Sequence, residues 1–181
     1  DSQYYIEDVR KHIIEKLSYE KVYKQGFNIN TPINLDLQKI ATESLRMGLL
    51  DYDKRMGWRG PLKNINITKN WHKKVKQFQI EKSIGWHLAI IKKIRKFNVE
   101  IDIFNNGNGT IDLSDVSWTK KDLDELFKIG DVIYVKKIAE NKYSLKQLPS
   151  ANGAIVVIDP FTGRLKAMSG GFSFKKSEFN R

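Results

Sequence analysis

Residues 153–171 read Gly-Ala-Ile-Val-Val-Ile-Asp-Pro-Phe-Thr-Gly-Arg-Leu-Lys-Ala-Met-Ser-Gly-Gly. Ala154 to Ile158 is an unbroken apolar run, too short for a helix and rich in β-branched residues. It reads as a strand buried on both faces. Asp159-Pro160-Phe161-Thr162-Gly163 supplies turn chemistry, with Pro160 fixing φ and Gly163 free to take a positive φ. Arg164 to Met168 then alternates polar and apolar, as a returning half-buried strand does. The stretch is a β-hairpin.

Just upstream, five more strands can be marked. Trp86 to Ile94 and Val99 to Phe104 are followed by Asn106-Gly107 or Asn108-Gly109 as a tight turn, then by Thr110 to Leu113. Thr119 is placed to cap a short helix, Lys120 to Phe127, whose buried face is Leu123, Leu126 and Phe127. Gly130-Asp131 breaks that helix. Val132 to Ile138 and Tyr143 to Leu148 are the last two strands, turned at Glu140-Asn141. Three strands, a helix and two strands is the plan of an OB-fold, although another small barrel can share the order.

The N-terminal third is helical. Tyr5, Val9, Ile13, Ile14 and Leu17 recur at helical spacing within Tyr4 to Leu17, and Gly26 ends that region. Phe27, Ile29, Thr31 and Ile33 alternate with polar residues and Pro32, predicting a short edge strand that pairs with the 153–171 hairpin. Asn34 caps a second helix with a stripe of Leu37, Ile40, Ala41, Ser44, Leu45, Gly48 and Leu49. Gly57-Trp58-Arg59-Gly60-Pro61 is a breaker cluster and marks a boundary. The predicted organisation is therefore 1–60, helices and strand; 61–150, OB-like barrel; 151–181, hairpin. The class is mixed, mainly β, and the two ends of the barrel are expected close together.

Several of these residues carry a resemblance. Gly153 to Pro160, Thr162-Gly163, Ala167-Met168-Ser169-Gly170-Gly171 and Phe179-Asn180-Arg181 resemble the opening of the transpeptidase domain of bifunctional class A penicillin-binding proteins. Thr31 to Gln38 is similar to the family's Thr-Thr-Leu-Asp-x-x-Leu-Gln segment, which joins glycosyltransferase to transpeptidase. Here Pro32 replaces the second threonine and Asn34 the aspartate, an equally good cap. Gly48 to Asp53 and Gly57 to Pro61 continue the likeness, with Trp58 where the family usually has tyrosine. The resemblance implies an interdomain piece of a type 1A protein, carrying the OB-like insert of many Gram-negative members. It implies a parent that polymerises glycan and cross-links peptides through an acyl-enzyme serine, on the periplasmic side of the inner membrane behind an N-terminal anchor. Asp1 in place of methionine fits a piece of a longer protein. The nucleophile's Ser-x-x-Lys motif is expected just beyond Arg181.

Within the chain that motif occurs three times by coincidence, at Ser18/Lys21, Ser117/Lys120 and Ser173/Lys176, and Ser150-x-Asn152 mimics a second element. None heads a buried helix as the chemistry requires, Ser173 aligns upstream of the family's nucleophile, and no Lys-Thr-Gly follows. The expectation is no catalytic, cofactor-binding or metal residue. His12, His72 and His87 lack ligand spacing, the 181 residues contain no cysteine, and no glycine loop cradles a phosphate. No apolar run approaches a bilayer span.

The net charge of +11 attracts anionic partners. From Leu62 to Arg95 the basic residues Lys63, Lys69, Lys73, Lys74, Lys76, Lys82, Lys92, Lys93 and Arg95 meet only Glu81. Peptidoglycan, an anionic membrane surface or a regulatory lipoprotein are the partners the resemblance implies for this region, with no specific nucleic acid. Two rivals stand beside that reading: a free-standing OB-fold that binds single-stranded nucleic acid, and a structural adaptor with no polymer ligand. Stacking on single strands needs exposed rings among Trp71, Phe78, Trp86, Phe97, Phe104, Trp118, Phe127, Tyr134 and Tyr143. A barrel needs most of them as filling, and the core assignment is favoured for each.

Overall fold

The apolar runs of the barrel strands differ because some strands are covered on both faces and others on one. In the computed structural model, which describes residues 2–68 and 70–177, the elements are α1 (Gln3–Leu17), α2 (Tyr19–Gln25), α3 (Leu35–Met56), β1 (Lys63–Asn64), α4 (Trp71–Val75), β2 (Trp86–Ile94), β3 (Asn98–Ile103), β4 (Gly107–Asp112), α5 (Leu123–Leu126), β5 (Asp131–Ala139), β6 (Lys142–Lys146), β7 (Ile155–Ile158) and β8 (Leu165–Ser169). Lys69 and the Phe179-Asn180-Arg181 end of the resemblance lie outside the described residues. Two compact units result, Tyr52–Leu148 and Asp1–Asp51 with Pro149–Arg181. The division falls within α3.

The first unit is a closed five-stranded barrel. β2 runs antiparallel to β3 and β5, β3 to β4, and β5 to β6, while a parallel bridge between Thr110 and Lys142 joins β4 to β6 and closes the ring. This is the strand order of an OB-fold. Ala89, Ile91, Ile101, Ile111, Ile133, Val135 and Leu145 fill the interior. A second layer lies outside, where Trp71 and Val75 of α4 cover Leu88, Ile90, Val132 and Tyr134. The runs Leu88 to Ile91 and Val132 to Val135 are therefore buried on both faces, whereas β3 alternates strictly. The chain leaves α4 through a 3-10 turn at Lys76–Phe78.

One open choice is settled, for Asn106-Gly107 at the turn, and two local expectations for the barrel need correction. The β3–β4 turn is Phe104 to Asn106, with Asn105 at φ 60° and Gly107 at φ 76°, so Asn108-Gly109 lies within β4. Gly109 is glycine for another reason: a Cβ there would lie 2.6 Å from the Tyr143 ring. Thr119 does not cap a helix. Its hydroxyl donates to the Val116 carbonyl at 2.8 Å, closing a 3-10 helix over Leu113–Thr119. The following helix shrinks to α5, because Lys120 turns left-handed at φ 57°, yet Leu123, Leu126 and Phe127 are buried as predicted.

The second unit sets α1 and the first turns of α3 against β8. Tyr5 donates its hydroxyl to the Leu165 carbonyl at 3.2 Å, and Tyr4 to the Ser177 carbonyl at 2.8 Å, with its ring edge-on to Phe174. Asn34 caps α3 as expected, its Oδ1 accepting the Leu37 N–H at 3.0 Å. The buried stripe of α3, however, is Gln38, Ala41, Thr42, Leu49 and Asp53, while Leu37 and Ile40 of the predicted stripe are exposed. Gln38 is drawn inward because its amide bonds the backbone of β8.

No strand forms at Phe27 to Ile33. Phe27 and Ile29 are exposed, and the contact with the hairpin is a backbone bond from Asn34 N–H to the Lys166 carbonyl at 2.9 Å. Pro32 has no N–H to continue a ladder. Nor is β7 buried on both faces. It pairs with β8 in a two-stranded sheet, and Val156 and Ile158 are 51% and 56% exposed.

Candidate binding clefts of the barrel

The ends of the barrel unit meet around one carboxylate. Asp53, 2% exposed, accepts from both Arg59 guanidinium nitrogens at 2.6 and 3.1 Å and from the Gln147 amide at 2.7 Å. Arg59 also donates to the Leu148 carbonyl at 2.6 Å, and its own N–H reaches Gln147 Oε1 at 2.8 Å. Gln147 completes the set by donating to the Gly57 carbonyl at 3.1 Å. The expectation that the two ends lie close together holds.

Beside this knot is a cleft of about 310 Å³, lined by Trp58 to Leu62 and by Ile133, Tyr134 and Lys146 to Leu148. Tyr134 donates its hydroxyl to the Phe78 carbonyl, and burial holds its phenol well above the ordinary value. Trp58 and Lys146 differ in their surroundings. The Trp58 indole Nε1 is buried without a hydrogen-bond partner, its ring wedged edge-on against Trp118 and Phe127. Lys146 sits across the β5–β6 ladder from Tyr134, half-buried, and makes no ion pair among the described residues. Burial pushes its ammonium below the ordinary lysine value, Lys54 and Lys136 push the same way, and Asp115 opposes them.

A second groove, about 600 Å³, lies over β3 and β4 and is lined by Lys92, Glu100, Asn108, Thr110 and Asn141 among others. Its carboxylate is already compensated. Glu100 is held by Arg95, which keeps the carboxyl below the usual range. Thr110 is tied through its N–H to the Asn141 carbonyl at 2.8 Å, and neighbouring Asp112 is paired with Lys142 at 2.7 Å.

The other sequence candidates are dispersed. Ser18 is the left-handed break between α1 and α2 at φ 70°, Ser117 lies in the 3-10 helix, and Ser173 is buried with its Oγ accepting the Lys176 N–H at 3.3 Å. His12 is exposed on α1. His72 stacks on Phe104 and meets Asn105, while His87 meets Asn106. No grouping able to hold a metal occurs among the described residues, and no helix there is long and apolar enough to cross a membrane.

Of the nine aromatics, Trp71, Phe127, Tyr134 and Tyr143 are buried, and Phe78, Trp86, Phe104 and Trp118 pack against the two cores. Phe97 alone of these nine is exposed, at 67%. One ring is no stacking platform. Lys146 received no role from the sequence, and Trp58 only a place in the Gly57 to Pro61 breaker cluster. The alternation of Lys142 to Lys146 puts Lys146 on the outer face, where it is half-buried and lines a cleft with Trp58 to Leu62.

A barrel of OB order, with its two ends locked together and flanked by segments that share a second unit, is an inserted domain. A family model described as Penicillin-binding protein OB-like domain matches residues 58–151, more than half of the chain, and the chain belongs to that family. It is 35% identical over 185 residues to penicillin-binding protein 1A of Rickettsia conorii, covering 99% of this chain and 23% of that protein. It is 27% identical over 196 residues to penicillin-binding protein 1A of Pseudomonas aeruginosa, covering 100% and 23%. The crystal structure of penicillin-binding protein 1A from Haemophilus influenzae superimposes with a TM-score of 0.85 at 26% identity, over 99% of this chain and 27% of that one. The chain thus spans about a quarter of the proteins it matches. The resemblance read from the two flanks is borne out, and the nucleic-acid reading gains no support.

Proposed function

We propose that this chain is the non-catalytic interdomain region of a bifunctional peptidoglycan synthase. In this reading the parent joins a peptidoglycan glycosyltransferase to a serine-type D-Ala-D-Ala transpeptidase or carboxypeptidase, on the periplasmic side of the bacterial inner membrane. The observation that carries it is collinearity. Similarity to penicillin-binding protein 1A runs through the helices, the barrel and the hairpin alike, not through the barrel alone. A free-standing OB module would have no reason to keep both flanks.

The barrel's role is contact. Most of the net charge of +11 falls in Tyr52–Leu148, where Asp53, Glu100, Asp112 and Asp131 are engaged by Arg59, Arg95, Lys142 and Asn64. The surplus lysines face an anionic partner, and the wall polymer is the one that the parent's chemistry presents. The test is fluorescent-penicillin labelling of the full-length parent and of this chain. Labelling of the parent alone is expected, unchanged by Ser173→Ala. A covalent band on this chain that disappears in Ser173→Ala would overturn the reading.

A further inference from the structure

We propose that the groove over β3 and β4 is a saccharide-binding subsite, whose polar side chains receive the N-acetylated sugars of a glycan strand. In an OB-fold the face of the second and third barrel strands, with the loops at its ends, is where oligosaccharides and oligonucleotides bind. Here those strands are β3 and β4, and the groove of about 600 Å³ lies on them, within the size range of ligand sites. The groove crosses the strands. Lys92 comes from β2, Glu100 from β3, Asn108 and Thr110 from β4, and Asn141 from the turn between β5 and β6. Three inter-strand steps of about 4.8 Å separate the first from the last, room for a short run of sugar rings.

The lining chooses between those two ligands. Among the described residues no aromatic ring lines the groove, so stacked bases find no platform in it. The outward positions of the same two strands include Glu100, Asp102 and Asp112, which oppose a phosphate backbone. What the groove offers is two amides, a hydroxyl, a carboxylate and one ammonium, donors and acceptors that match sugar hydroxyls and acetamido groups. These groups are only weakly engaged with each other. Lys92 reaches Asn108 Oδ1 at 3.5 Å, and the Thr110 hydroxyl reaches the Asn141 carbonyl at 3.4 Å, both at the outer limit of a hydrogen bond. Arg95 holds Glu100 through Oε1, which fixes the carboxylate and leaves Oε2 to accept a hydroxyl. The saccharide site stands on the groove itself, while its assignment to wall glycan rests on the synthase reading above.

The test uses the 181-residue chain labelled with 15N, with Asn108→Ala and Asn141→Gly to assign the two side-chain amide signals. Glycine suits the left-handed φ of 55° at position 141, so that variant removes the side chain and keeps the turn. The probes are N-acetylchitotetraose, cellotetraose, peptide-free wall glycan strands and single-stranded oligothymidine. N-acetylchitotetraose and wall glycan are expected to shift both amide signals, and cellotetraose, which lacks acetamido groups, to bind more weakly. The double variant is expected to weaken N-acetylchitotetraose binding at least about tenfold through two lost hydrogen bonds, with its backbone amide spectrum showing the barrel intact. Amide signals of the unmutated chain unmoved by N-acetylchitotetraose, or undiminished binding by the folded double variant, would overturn the saccharide site. Equal binding of cellotetraose would overturn the acetamido contact, and a larger response to oligothymidine the choice of ligand class. Binding of N-acetylchitotetraose without binding of wall glycan would overturn the wall assignment, whatever penicillin labelling says of the parent.

Discussion

Gln38 and Met168, 130 residues apart, bind each other twice: the Gln38 amide donates to the Met168 carbonyl and accepts the Met168 N–H, each at 2.9 Å. A helix side chain thereby stands in for the strand that β8 lacks on that edge. Gln38 is 1% exposed, so neither bond is shared with water. Replacing it by leucine keeps the volume and strips both partners. Gln38→Leu is expected to destabilise the helix-and-hairpin unit by about 2–4 kcal/mol, the cost of two buried backbone groups left unpaired. Loss of hydrogen-exchange protection at the Met168 amide, with β2 and β5 amides unchanged, is the measurement.

Gly109→Ala tests the barrel seam. The added methyl would meet the Tyr143 ring at 2.6 Å, with Ile103 also within 3.0 Å, in a packed interior. The expected cost is about 1–3 kcal/mol by overpacking. Tyr143→Leu in the same chain should recover part of it, because the clash is with the ring. A double-mutant cycle from urea curves checks this, and additive losses would refute the contact.

Asp53 and Arg59 bind the two ends of the barrel unit. Arg59→Ala takes the guanidinium from a buried carboxylate that Gln147 also contacts, and it is expected to cost about 3 kcal/mol. Asp53→Asn with Arg59 intact should cost less, since no buried charge is stranded. Thermal unfolding of both variants ranks them, and the reverse order would count against the ion pair as the source.

Tyr134 makes the barrel sensitive to alkali. Its folded pKa is raised by burial above the unfolded value of about 10. Folded protein therefore keeps the proton longer than unfolded chain, so the contribution is full below about pH 10 and is lost as pH rises beyond it. Tyr134→Phe should flatten this alkaline decline while costing about 1 kcal/mol near neutrality for the lost bond to Phe78. Urea midpoints measured at pH 8, 10 and 11 decide it.

Much of the architecture was written locally. The apolar runs at Leu88 to Ile91 and Val132 to Val135 were legible as strands, and the order of strands and helix implied the barrel before any coordinates. The Asn34 cap was readable too, since capping involves residues three apart. Family membership was carried by short motifs at the flanks, where turn chemistry and glycine positions are matters of a few neighbouring residues.

What sequence alone could not decide are the effects that need a distant partner. Alternation made Phe27 to Ile33 look like a strand, but a strand exists only where another chain segment accepts its hydrogen bonds, and Pro32 breaks that row. β7 read as buried because its residues are apolar, yet burial depends on what covers Val156 and Ile158. Helical spacing chose Leu37 and Ile40 for the inner face of α3, and the unpaired edge of β8 chose Gln38 instead. The closure of the barrel unit follows the same rule. Asp53 and Gln147 are 94 positions apart, and only the fold brings the Gln147 amide to the Asp53 carboxylate at 2.7 Å. Local composition determines which elements can form, whereas hydrogen-bond satisfaction across the fold determines which faces and which donors remain free.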